Sequence, residues 1–545
     1  MQDMSVPSRL VDKVIDLPPA ITRDVALHRD LDVHARDGII LRTDHYAPRL
    51  KSAPRSASAP GLASAPTILV RTPYGRRGII GLISGRVLAE RGFHVVLQSC
   101  RGTFDSGGEF QPMRYEREDG LDTVAWIEAQ PWFDGNLFTY GPSYVGFTQW
   151  AIADAAGPAL KGMLTAVTSS TFRDPTYAGG SFSLDTVLNW ATLLANQGGS
   201  LASFVIKQGR TQRRLRRAWN HLPLSEVGSI ASGSEIAFIQ EWLAGAADEP
   251  YWLDRSHDHR IASVTAPVCM VGGWYDIFLP WQLADYARLR TAGAEPRLVI
   301  GPWSHTSKDL FARSIIEGVA WFRAQLGQEP KRPGIQLYVG GADEWRTYDE
   351  WPPATRTQEW FLGPDRTLTA APSTSAEADH FRYDPADPTP SPGGALLTTD
   401  AGRVDNAKVE ARADVLVYTS PALTEDFEAV GPVTAEIALS SSSSYFDIFV
   451  RVCDVAPNGR SENICDGLTR ITGTDGPQTV TVTLWPTAYR WRAGHRIRVQ
   501  VSGGAHPRYA RNPGTGEPLA TATTMRPVDH EVRLDGSVIR FGPPR

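Results

Sequence analysis

The sequence predicts an α/β fold in which a parallel sheet, interrupted by a helical insertion, precedes an antiparallel β domain. Three observations support this prediction. Apolar strands alternate with amphipathic helices in the first half, helical patterns stand alone over residues 172–262, and two-residue alternation dominates after residue 340. A chain of 545 residues is also too long for one hydrophobic core, which indicates several domains.

The first half carries the pattern of a parallel sheet with helices on both faces. Amphipathic helices are predicted at residues 117–130 and 279–293. Apolar, β-branched runs that end at glycine or polar turns predict strands at residues 67–75, 93–100, 137–141, 163–170, 266–276 and 297–303. Because continuous apolar strands need cover on both faces, we assign residues 1–171 and 263–340 to the two parts of one α/β domain.

A helical insertion is predicted over residues 172–262, where the strand pattern stops. The segments LDTVLNWATLLANQ and GSEIAFIQEWLAGA have helical spacing, and the stretch is far longer than an ordinary loop. Within it, the basic run KQGRTQRRLRRAWNH (207–221) is typical either of a solvated helix face or of a site for an anionic partner. The pattern leaves both interpretations open.

The C-terminal residues 341–545 alternate apolar and polar residues between turn signals, as in VTAEIALSSSSSYFDIFVRVCDV and HRIRVQVSGG. This alternation predicts an antiparallel β-sandwich or jelly roll. A two-residue turn at Asn458 and Gly459 would place Cys453 opposite Ile464, so we expect no disulfide between Cys453 and Cys465.

Composition and charge exclude several classes of protein. A net charge of −5 and a pI near 6.2 give no basic surface for nucleic acid, and no apolar run approaches the roughly 20 residues of a membrane span. The N-terminus lacks the apolar core of a secretory signal. The four cysteines form no CxxC pair and no cluster with histidines, which predicts reduced thiols, no metal site and a cytoplasmic location.

The segment TYGPSYVGFTQW (139–150) combines the end of a strand with the start of a helix around one serine. Pro142 favours extended backbone at Gly141, and the glycines on both sides allow a sharp turn that presents Ser143 at the sheet edge. This is the context of a nucleophile elbow, although Gly146 comes one residue later than the second glycine of the usual G-x-S-x-G pattern. Ser143 is therefore a candidate nucleophile.

Two later residues complete a candidate catalytic triad. Asp276 follows the apolar run VCMVGGWY and His305 follows RLVIGPWS, so both lie at the C-terminal edge of the predicted sheet, where ligands bind. Taken singly, Asp276 suits a helix cap and His305 a loop. The chain order Ser, Asp, His is that of α/β-hydrolases and favours catalysis. His305 would act as general base and Asp276 would hold its imidazole.

Two donors are candidates for an oxyanion hole, which stabilises the tetrahedral intermediate of acyl transfer. The backbone N–H of Tyr144 lies at the helix N-terminus directly after the candidate nucleophile. The second donor should come from an early strand-to-helix loop, where TPYG offers the hydroxyl of Tyr74.

Several motifs together resemble the X-prolyl dipeptidyl-peptidase family, in its cocaine esterase-like branch. They are PYG, SCRGTFDSGGEF, GPSYVG, GGWYDIF, IGPWSH and RNPGTG, and the likeness spans nearly the whole chain. The resemblance implies an α/β-hydrolase domain, a helical cap, a C-terminal jelly roll and the homo-oligomers common in that family. It also implies Ser143, Asp276 and His305 as the triad, Tyr74 and Tyr144 as the oxyanion hole, and neither cofactor nor metal.

The same resemblance implies an aromatic acyl pocket, which Trp190 and Phe278 match; ordinary core packing is the alternative for both. The family has a second tryptophan in its cap. Thr176 or Tyr177 occupies that position in this sequence, and we take Tyr177 as a pocket residue. The segment GIIGLISGRV (78–87) lacks the glutamine of that branch's pocket, so we expect a substrate other than cocaine.

The sequence therefore predicts a serine hydrolase that cleaves small-molecule carboxylic esters with an apolar or aromatic acyl group through an acyl-enzyme. An amide or peptide hydrolase, of the X-prolyl peptidase or β-lactam acylase type, is the alternative. It needs an acidic amine pocket, for which Asp185 and Glu235 are candidates. A carbohydrate-binding protein without catalysis is a weaker alternative, since jelly rolls often bind sugars.

Overall fold

The structure, a computed structural model, describes residues 5–50, 64–196, 211–244, 249–332 and 334–543. The helices in these residues are α1 (Ser5–Val14), α2 (Gly78–Ile80), α3 (Val87–Ala89), α4 (Glu116–Glu128), α5 (Tyr144–Trp150), α6 (Arg173–Thr176), α7 (Leu184–Ala195), α8 (residues 211–219), α9 (Val227–Ser232), α10 (Ala237–Ala244), α11 (Glu249–Leu253), α12 (Leu279–Thr291), α13 (Lys308–Gln325) and α14 (Ala407–Glu410). A π-helix (Gly81–Arg86) joins α2 to α3, and 3₁₀ turns lie at Ala178–Gly180, Leu224–Glu226, Asp258–Ser263 and Pro364–Arg366. None of the described helices combines the length and apolar character that a bilayer crossing requires.

The first sheet is mostly parallel. In the described chain its strands are β1 (Val25–His34), β2 (Ile40–Pro48), β3 (Ala65–Thr72), β4 (His94–Ser99), β5 (Phe133–Pro142), β6 (Leu160–Ala166), β7 (Val268–Tyr275), β8 (Arg297–Ser304), β9 (Ile335–Val339) and β10 (Glu344–Tyr348). Their spatial order is β1-β2-β4-β3-β5-β6-β7-β8-β9-β10. Pairs from β4 to β9 are parallel, whereas β1 and β2 at one edge and β10 at the other pair antiparallel. The predicted parallel sheet is confirmed.

Both faces of this sheet are apolar, which explains why its central strands are continuous apolar runs rather than alternating ones. Every residue of β7 is buried. Met270 packs into one apolar cluster, which also holds Trp190, whereas Cys269 and Val271 pack into a second cluster with Phe322 of α13. The strand ends at the C-terminal edge are thus held from both sides.

Between β6 and β7 the described residues form helices α6–α11 and no strand, and we name this segment the helical insertion. Trp190, Trp242 and Trp252 of the insertion are buried in the same cluster as Tyr144 and Phe147 of α5. The insertion therefore covers the sheet edge at which α5 begins.

The basic run of the insertion presents charge to water where the structure describes it. Leu215 and Ala218 of α8 are buried, whereas the neighbouring arginines are exposed, namely Arg213, Arg214, Arg216 and Arg217. Residues 207–210 of the run lie outside the described residues. An amphipathic helix with a solvated face accounts for the described part.

The second sheet lies in the C-terminal part of the chain. Its strands in the described residues are β11 (Gln358–Gly363), β12 (Thr367–Thr369), β13 (Ala378–Tyr383), β14 (Val415–Thr419), β15 (Phe427–Ser441), β16 (Tyr445–Val455), β17 (Ser461–Thr472), β18 (Gln478–Trp491), β19 (Arg496–Ser502), β20 (Val528–Arg533) and β21 (Val538–Phe541). They run β13-β20-β15-β21-β11-β12-β14-β19-β16-β17, with β18 against β15. Apart from the β12–β14 pair they are antiparallel. The predicted β-rich C-terminal domain is confirmed, while its jelly-roll connectivity stays a prediction.

Two sequence-based expectations need correction. β10 pairs with β9, so residues 344–348, which the sequence pattern assigned to the antiparallel domain, belong to the first sheet. The domain boundary itself stays a prediction. The alternation of β10 is that of an antiparallel edge strand, which resembles the pattern of the second sheet. Cys453 lies opposite Asn463 rather than Ile464, because Ala456 pairs with Arg460 around a turn one residue longer than predicted. The four cysteines are buried and free.

The C-terminal domain packs directly on the helical insertion. The backbone N–H of Ala510 donates to Phe182 O at 2.8 Å, and that of Asp185 donates to Pro507 O at 3.0 Å. The Asp185 carboxylate also accepts from the N–H of Leu397 at 3.2 Å. These bonds fix the start of α7 against the second domain.

Asp466 holds two buried guanidinium groups inside the C-terminal domain. Its carboxylate pairs with Arg451 at 2.9 Å and with Arg508, and all three side chains are nearly inaccessible to water. Burial alone would raise the pKa of Asp466, but the charges of Arg508 and Arg451 outweigh burial and lower that pKa below its ordinary value.

We expect Asp466→Asn to lower the free energy of unfolding by about 3–5 kcal/mol, because two buried charges lose their partner. Asp529→Asn removes only an exposed ion pair with Arg382 and is the matched control, with little effect. Because the folded pKa of Asp466 is lowered, its stabilisation is full above the unfolded pKa and is lost as the pH falls through the folded pKa. Denaturant unfolding at neutral and acidic pH measures both effects; equal losses in the two variants would contradict the prediction.

Candidate active site

Ser143 lies on a sharp turn between β5 and α5, with φ +56° and ψ −130°. L-residues rarely adopt a positive φ, and such strain costs on the order of 1–3 kcal/mol. Two glycines make the turn feasible, since a Cβ on Gly141 would lie 2.1 Å from Val145 Cγ1 and one on Gly146 would lie 2.4 Å from Thr168 Cγ2. The late second glycine of the motif is therefore required by the packing of Thr168.

Hydrogen bonds hold the backbone of Ser143 in this conformation. Its N–H donates to Ala166 O at 2.8 Å, and its carbonyl accepts from the Thr168 hydroxyl at 2.7 Å. The N–H groups of Gly146 and Phe147 also donate to that carbonyl, at 2.8 and 3.1 Å. The side chain is thereby presented at the C-terminal edge of the sheet and stays partly exposed.

The structure brings Ser143, His305 and Asp276 into one line of hydrogen bonds. Ser143 Oγ lies 3.0 Å from His305 Nε2, and His305 Nδ1 lies 2.6 Å from Asp276 Oδ2. Asp276 is fully buried, and its Oδ1 accepts from the backbone N–H of Phe278 at 2.8 Å. The carboxylate thus favours the proton on Nδ1 and leaves Nε2 as the acceptor for the serine hydroxyl.

Sheet order explains why the acid and the histidine meet. β7 ends at Tyr275 and β8 ends at Ser304, and these parallel strands are neighbours, so Asp276 and His305 emerge side by side. The turn that carries His305 is closed by the Ser307 hydroxyl, which accepts from the Ser304 N–H at 2.9 Å.

Two hydrogen-bond donors lie beside the candidate nucleophile. The N–H of Tyr144 opens helix α5 and so has no acceptor one turn earlier. The hydroxyl of Tyr74 interacts with Ser143 and accepts a hydrogen bond from Trp190 Nε1 at 3.0 Å. Burial raises the pKa of Tyr74 to about 12, so this hydroxyl keeps its proton. Because Trp190 is a donor only, the Tyr74 proton remains available to another acceptor.

A buried network that the sequence did not reveal holds Tyr144 in place. The Tyr144 hydroxyl donates to Glu116 Oε1 at 2.8 Å and accepts from the Met113 N–H at 2.8 Å. Glu116 forms a buried ion pair with Arg71 at 2.8 Å, on the strand that leads to Tyr74. The network therefore connects the elements that carry both candidate oxyanion donors. In the sequence, an acid at the start of α4 is indistinguishable from an ordinary helix N-terminus.

Ser143 and His305 open into a cavity of about 860 Å³ beneath the helical insertion. Trp190 and Phe278, the two aromatic residues predicted for the pocket, line it. Trp190 stacks on Trp242 with 5.9 Å between ring centres, and Phe278 contacts Phe172 at 5.0 Å. The rest of the wall is largely aliphatic and includes Ile80, Ile83, Val187 and Ile277.

Tyr177, predicted as a pocket residue, does not line the cavity. Its hydroxyl donates to Trp242 O, and its ring packs against Phe182 and Trp252. The preceding residue, Thr176, lines the cavity instead. Sequence reasoning missed Trp242, because α10 reaches the pocket only through the fold of the insertion.

No carboxylate lines the cavity in the part of the chain that the structure describes. Asp185 lies outside it and accepts from Asn189 Nδ2 at 2.9 Å as well as from Leu397; burial raises the pKa of Asp185 to about 6. Glu235 is exposed on the insertion. Neither candidate for an amine site is therefore at the pocket. The described residues also hold no group of three or more histidine, cysteine or carboxylate side chains placed to bind a metal.

Comparison with known proteins identifies the family. The sequence model of the X-Pro dipeptidyl-peptidase (S15) family matches residues 37–307, and that of the X-Pro dipeptidyl-peptidase C-terminal non-catalytic domain matches residues 327–533. The cocaine esterase of a Rhodococcus species is 31 % identical to this chain, over 90 % of this chain and 92 % of its own. The chain belongs to the X-Pro dipeptidyl-peptidase family, in its cocaine esterase-like branch.

Solved structures share the fold over nearly the whole chain. An aminopeptidase from a Thaumarchaeota archaeon has a TM-score of 0.79 at 22 % identity and covers 97 % of this chain and 98 % of its own. An α-amino acid ester hydrolase has a TM-score of 0.76 at 20 % sequence identity, and the match covers 96 % of this chain and 97 % of its own. A CocE/NonD family hydrolase from Staphylococcus aureus has a TM-score of 0.68 at 16 % sequence identity, and the match covers 95 % of this chain and 94 % of its own. These matches establish an α/β-hydrolase-like domain followed by a β-rich domain.

Membership of the X-Pro dipeptidyl-peptidase family makes the protein a serine hydrolase that acts on a small-molecule substrate. The family resemblance and the fold class predicted from the sequence are confirmed. The alternative of a carbohydrate-binding protein without catalysis is wrong, because the α/β domain matches a peptidase family.

Gly146→Ala should distort the turn at Ser143, because the new Cβ would meet Thr168, whose hydroxyl holds the Ser143 carbonyl. We expect a lower melting temperature and a loss of turnover on the order of 10²-fold, since small displacements of a reacting group are costly. Gly334→Ala is the matched control, because a Cβ there meets no atom within 4 Å. Wild-type turnover in Gly146→Ala would show that the turn tolerates the extra atom.

Proposed function

We propose that the protein hydrolyses carboxylic esters through Ser143, His305 and Asp276, with an apolar or aromatic acyl group held in the cavity. The observation that carries this proposal is the hydrogen-bonded line of these three side chains, which opens into an apolar cavity. The name of the Rhodococcus relative, an esterase, supports the ester as substrate.

The arrangement suits a two-step acyl transfer. His305 Nε2 takes the proton of Ser143 Oγ as Oγ attacks the ester carbonyl, and returns it to the alcohol oxygen when the ester C–O bond breaks. Asp276 stabilises the imidazolium that forms between these events. The Tyr144 N–H and the Tyr74 hydroxyl donate to the oxyanion. A water molecule then attacks the acyl carbon while His305 Nε2 takes its proton. The bond between Ser143 Oγ and the acyl carbon breaks, the proton returns to Oγ, and the acid is released.

The cavity wall favours a neutral acyl group. Trp190, Trp242, Phe172 and Phe278 present aromatic surface, and the wall has neither a carboxylate nor a Lys or Arg side chain in the described residues. A charged substrate group would lose its hydration there without gaining a partner. Residues 78–87 contribute isoleucines to the wall in place of a glutamine, so we propose an ester other than cocaine.

Cleavage of an amide or peptide bond by the same groups is the alternative function. The solved structures named as an aminopeptidase and as an α-amino acid ester hydrolase share this fold. A substrate ammonium would need an acidic partner, yet Asp185 and Glu235 lie away from the cavity and no other described carboxylate lines it. Ester hydrolysis therefore has the stronger support.

The proposal predicts rapid cleavage of an aryl butyrate or benzoate ester and no cleavage of a Gly-Pro anilide. Ser143→Ala should lower ester turnover by a factor on the order of 10⁴ or more, because the nucleophile is lost. Ser234→Ala, at an exposed serine of the insertion, is the control. Initial rates of the wild type and both variants on the two chromogenic substrates test this prediction. A loss below about tenfold in Ser143→Ala contradicts the triad, and anilide cleavage would favour the peptidase alternative.

Tyr74→Phe should lower kcat by about 10²–10³-fold with little change in KM, because a donor of the oxyanion hole acts most strongly on the charge that develops during reaction. The ratio of wild-type to variant kcat should be constant across the neutral pH range, since the raised pKa keeps the Tyr74 hydroxyl protonated throughout. Tyr418→Phe is the control, because it removes a buried hydroxyl, bonded to Asp379 at 2.7 Å, from the C-terminal domain. A raised KM with unchanged kcat would assign Tyr74 to substrate binding alone.

A further inference from the structure

The mouth of the active cavity is formed by apolar side chains that stay exposed to water. Ile79, Leu193 and Phe311 line the cavity and are 61 %, 49 % and 38 % exposed. Most other large apolar side chains of the described residues are buried. Single exposed apolar residues are ordinary, but a group of them around one opening marks a binding surface.

These three residues, which we name the apolar rim, come from three separate elements. Ile79 lies in α2, shortly after Tyr74. Leu193 lies in α7, the helix that carries part of the aromatic wall, and Phe311 lies in α13, which follows His305. The rim is therefore continuous with the groups that surround the reacting bond, and not with a separate surface of the protein.

We infer that the apolar rim binds the part of a substrate chain farthest from the reacting bond, so that the enzyme prefers long-chain, lipophilic esters to short ones. This inference rests on the proposed ester hydrolysis. Moving one methylene group from water onto an apolar surface favours binding by up to about fourfold. Binding energy from parts of the substrate remote from the reacting bond raises kcat/KM.

A second copy of the chain is the other occupant that this rim suits. The substrate chain fits the geometry better, because the rim borders the cavity that holds Ser143 and His305. A partner copy seated on Ile79, Leu193 and Phe311 would obstruct the passage of an ester to the serine.

Matched double variants test the inference. The rim variant combines Ile79→Ser with Leu193→Ser. The control variant combines Ile21→Ser with Leu10→Ser, which removes the same two residue types from positions outside the cavity that are 61 % and 64 % exposed. For each, kcat/KM is measured with p-nitrophenyl acetate and with p-nitrophenyl octanoate below its micelle concentration, and the mass in solution is measured by light scattering.

The wild type and the control should both prefer the octanoate. In the rim variant the ratio of octanoate to acetate kcat/KM should fall by about tenfold or more, and Phe311→Ser should lower it in the same direction. Equal ratios in the rim and control variants would overturn the inference. So would a rim variant that converts a dimer to a monomer with the ratio unchanged, since the rim would then be a contact between copies. If the wild type cleaves neither ester, or Ser143→Ala keeps the wild-type rate, ester hydrolysis itself fails and this inference with it.

Discussion

The strained backbone of Ser143 is the constraint on which the rest of the site depends. Its positive φ points the hydroxyl away from the sheet, and the conformation persists because Ala166 and Thr168 hold the peptide groups on both sides. Gly141 and Gly146 are small so that Val145 and Thr168 can approach this closely. The glycines of the GPSYVG motif are thus required by packing, whereas its serine is the candidate nucleophile.

Around this turn, groups from distant parts of the chain meet because parallel strands end at one edge. Asp276 and His305 leave adjacent strands, and the ion pair of Arg71 with Glu116 joins β3 to the Tyr144 side chain. Donors fixed in this way need no rearrangement when charge develops, which is the main electrostatic advantage of an enzyme site over water. The surroundings of the serine are therefore held by buried hydrogen bonds and an ion pair.

The meeting of the three candidate catalytic residues was predictable from sequence for a physical reason. Ser143, Asp276 and His305 each follow a continuous apolar strand, and the topology of a parallel sheet places such strand ends together. The edge of the sheet was less predictable, because the hairpin at β9 and β10 alternates just as the second sheet does. The local pattern of apolar and polar residues therefore does not show which sheet this strand joins.

The pocket wall was predicted only in part, because it depends on how the insertion folds. Trp190 was predicted from the family resemblance, but Trp242 is recognisable only once α10 packs against α7. Thr176 and Tyr177 are neighbours at the end of α6, and only Thr176 lines the cavity, because the Tyr177 hydroxyl bonds to Trp242 O. Asp185 has the charge of an amine-binding residue, yet its carboxylate is used to join α7 to the second domain.

The wall of the cavity is built from separate parts of the chain, and one of them, Leu397, belongs to the region matched by the family's non-catalytic domain. The candidate catalytic groups lie at the strand ends, whereas the cavity wall is shared between the insertion and this second domain. Changes in either region can alter which molecules are accepted without disturbing the groups that break the bond. In evolutionary terms, a domain named for its lack of catalysis can supply new wall residues to the cavity while the groups at the strand ends stay unchanged.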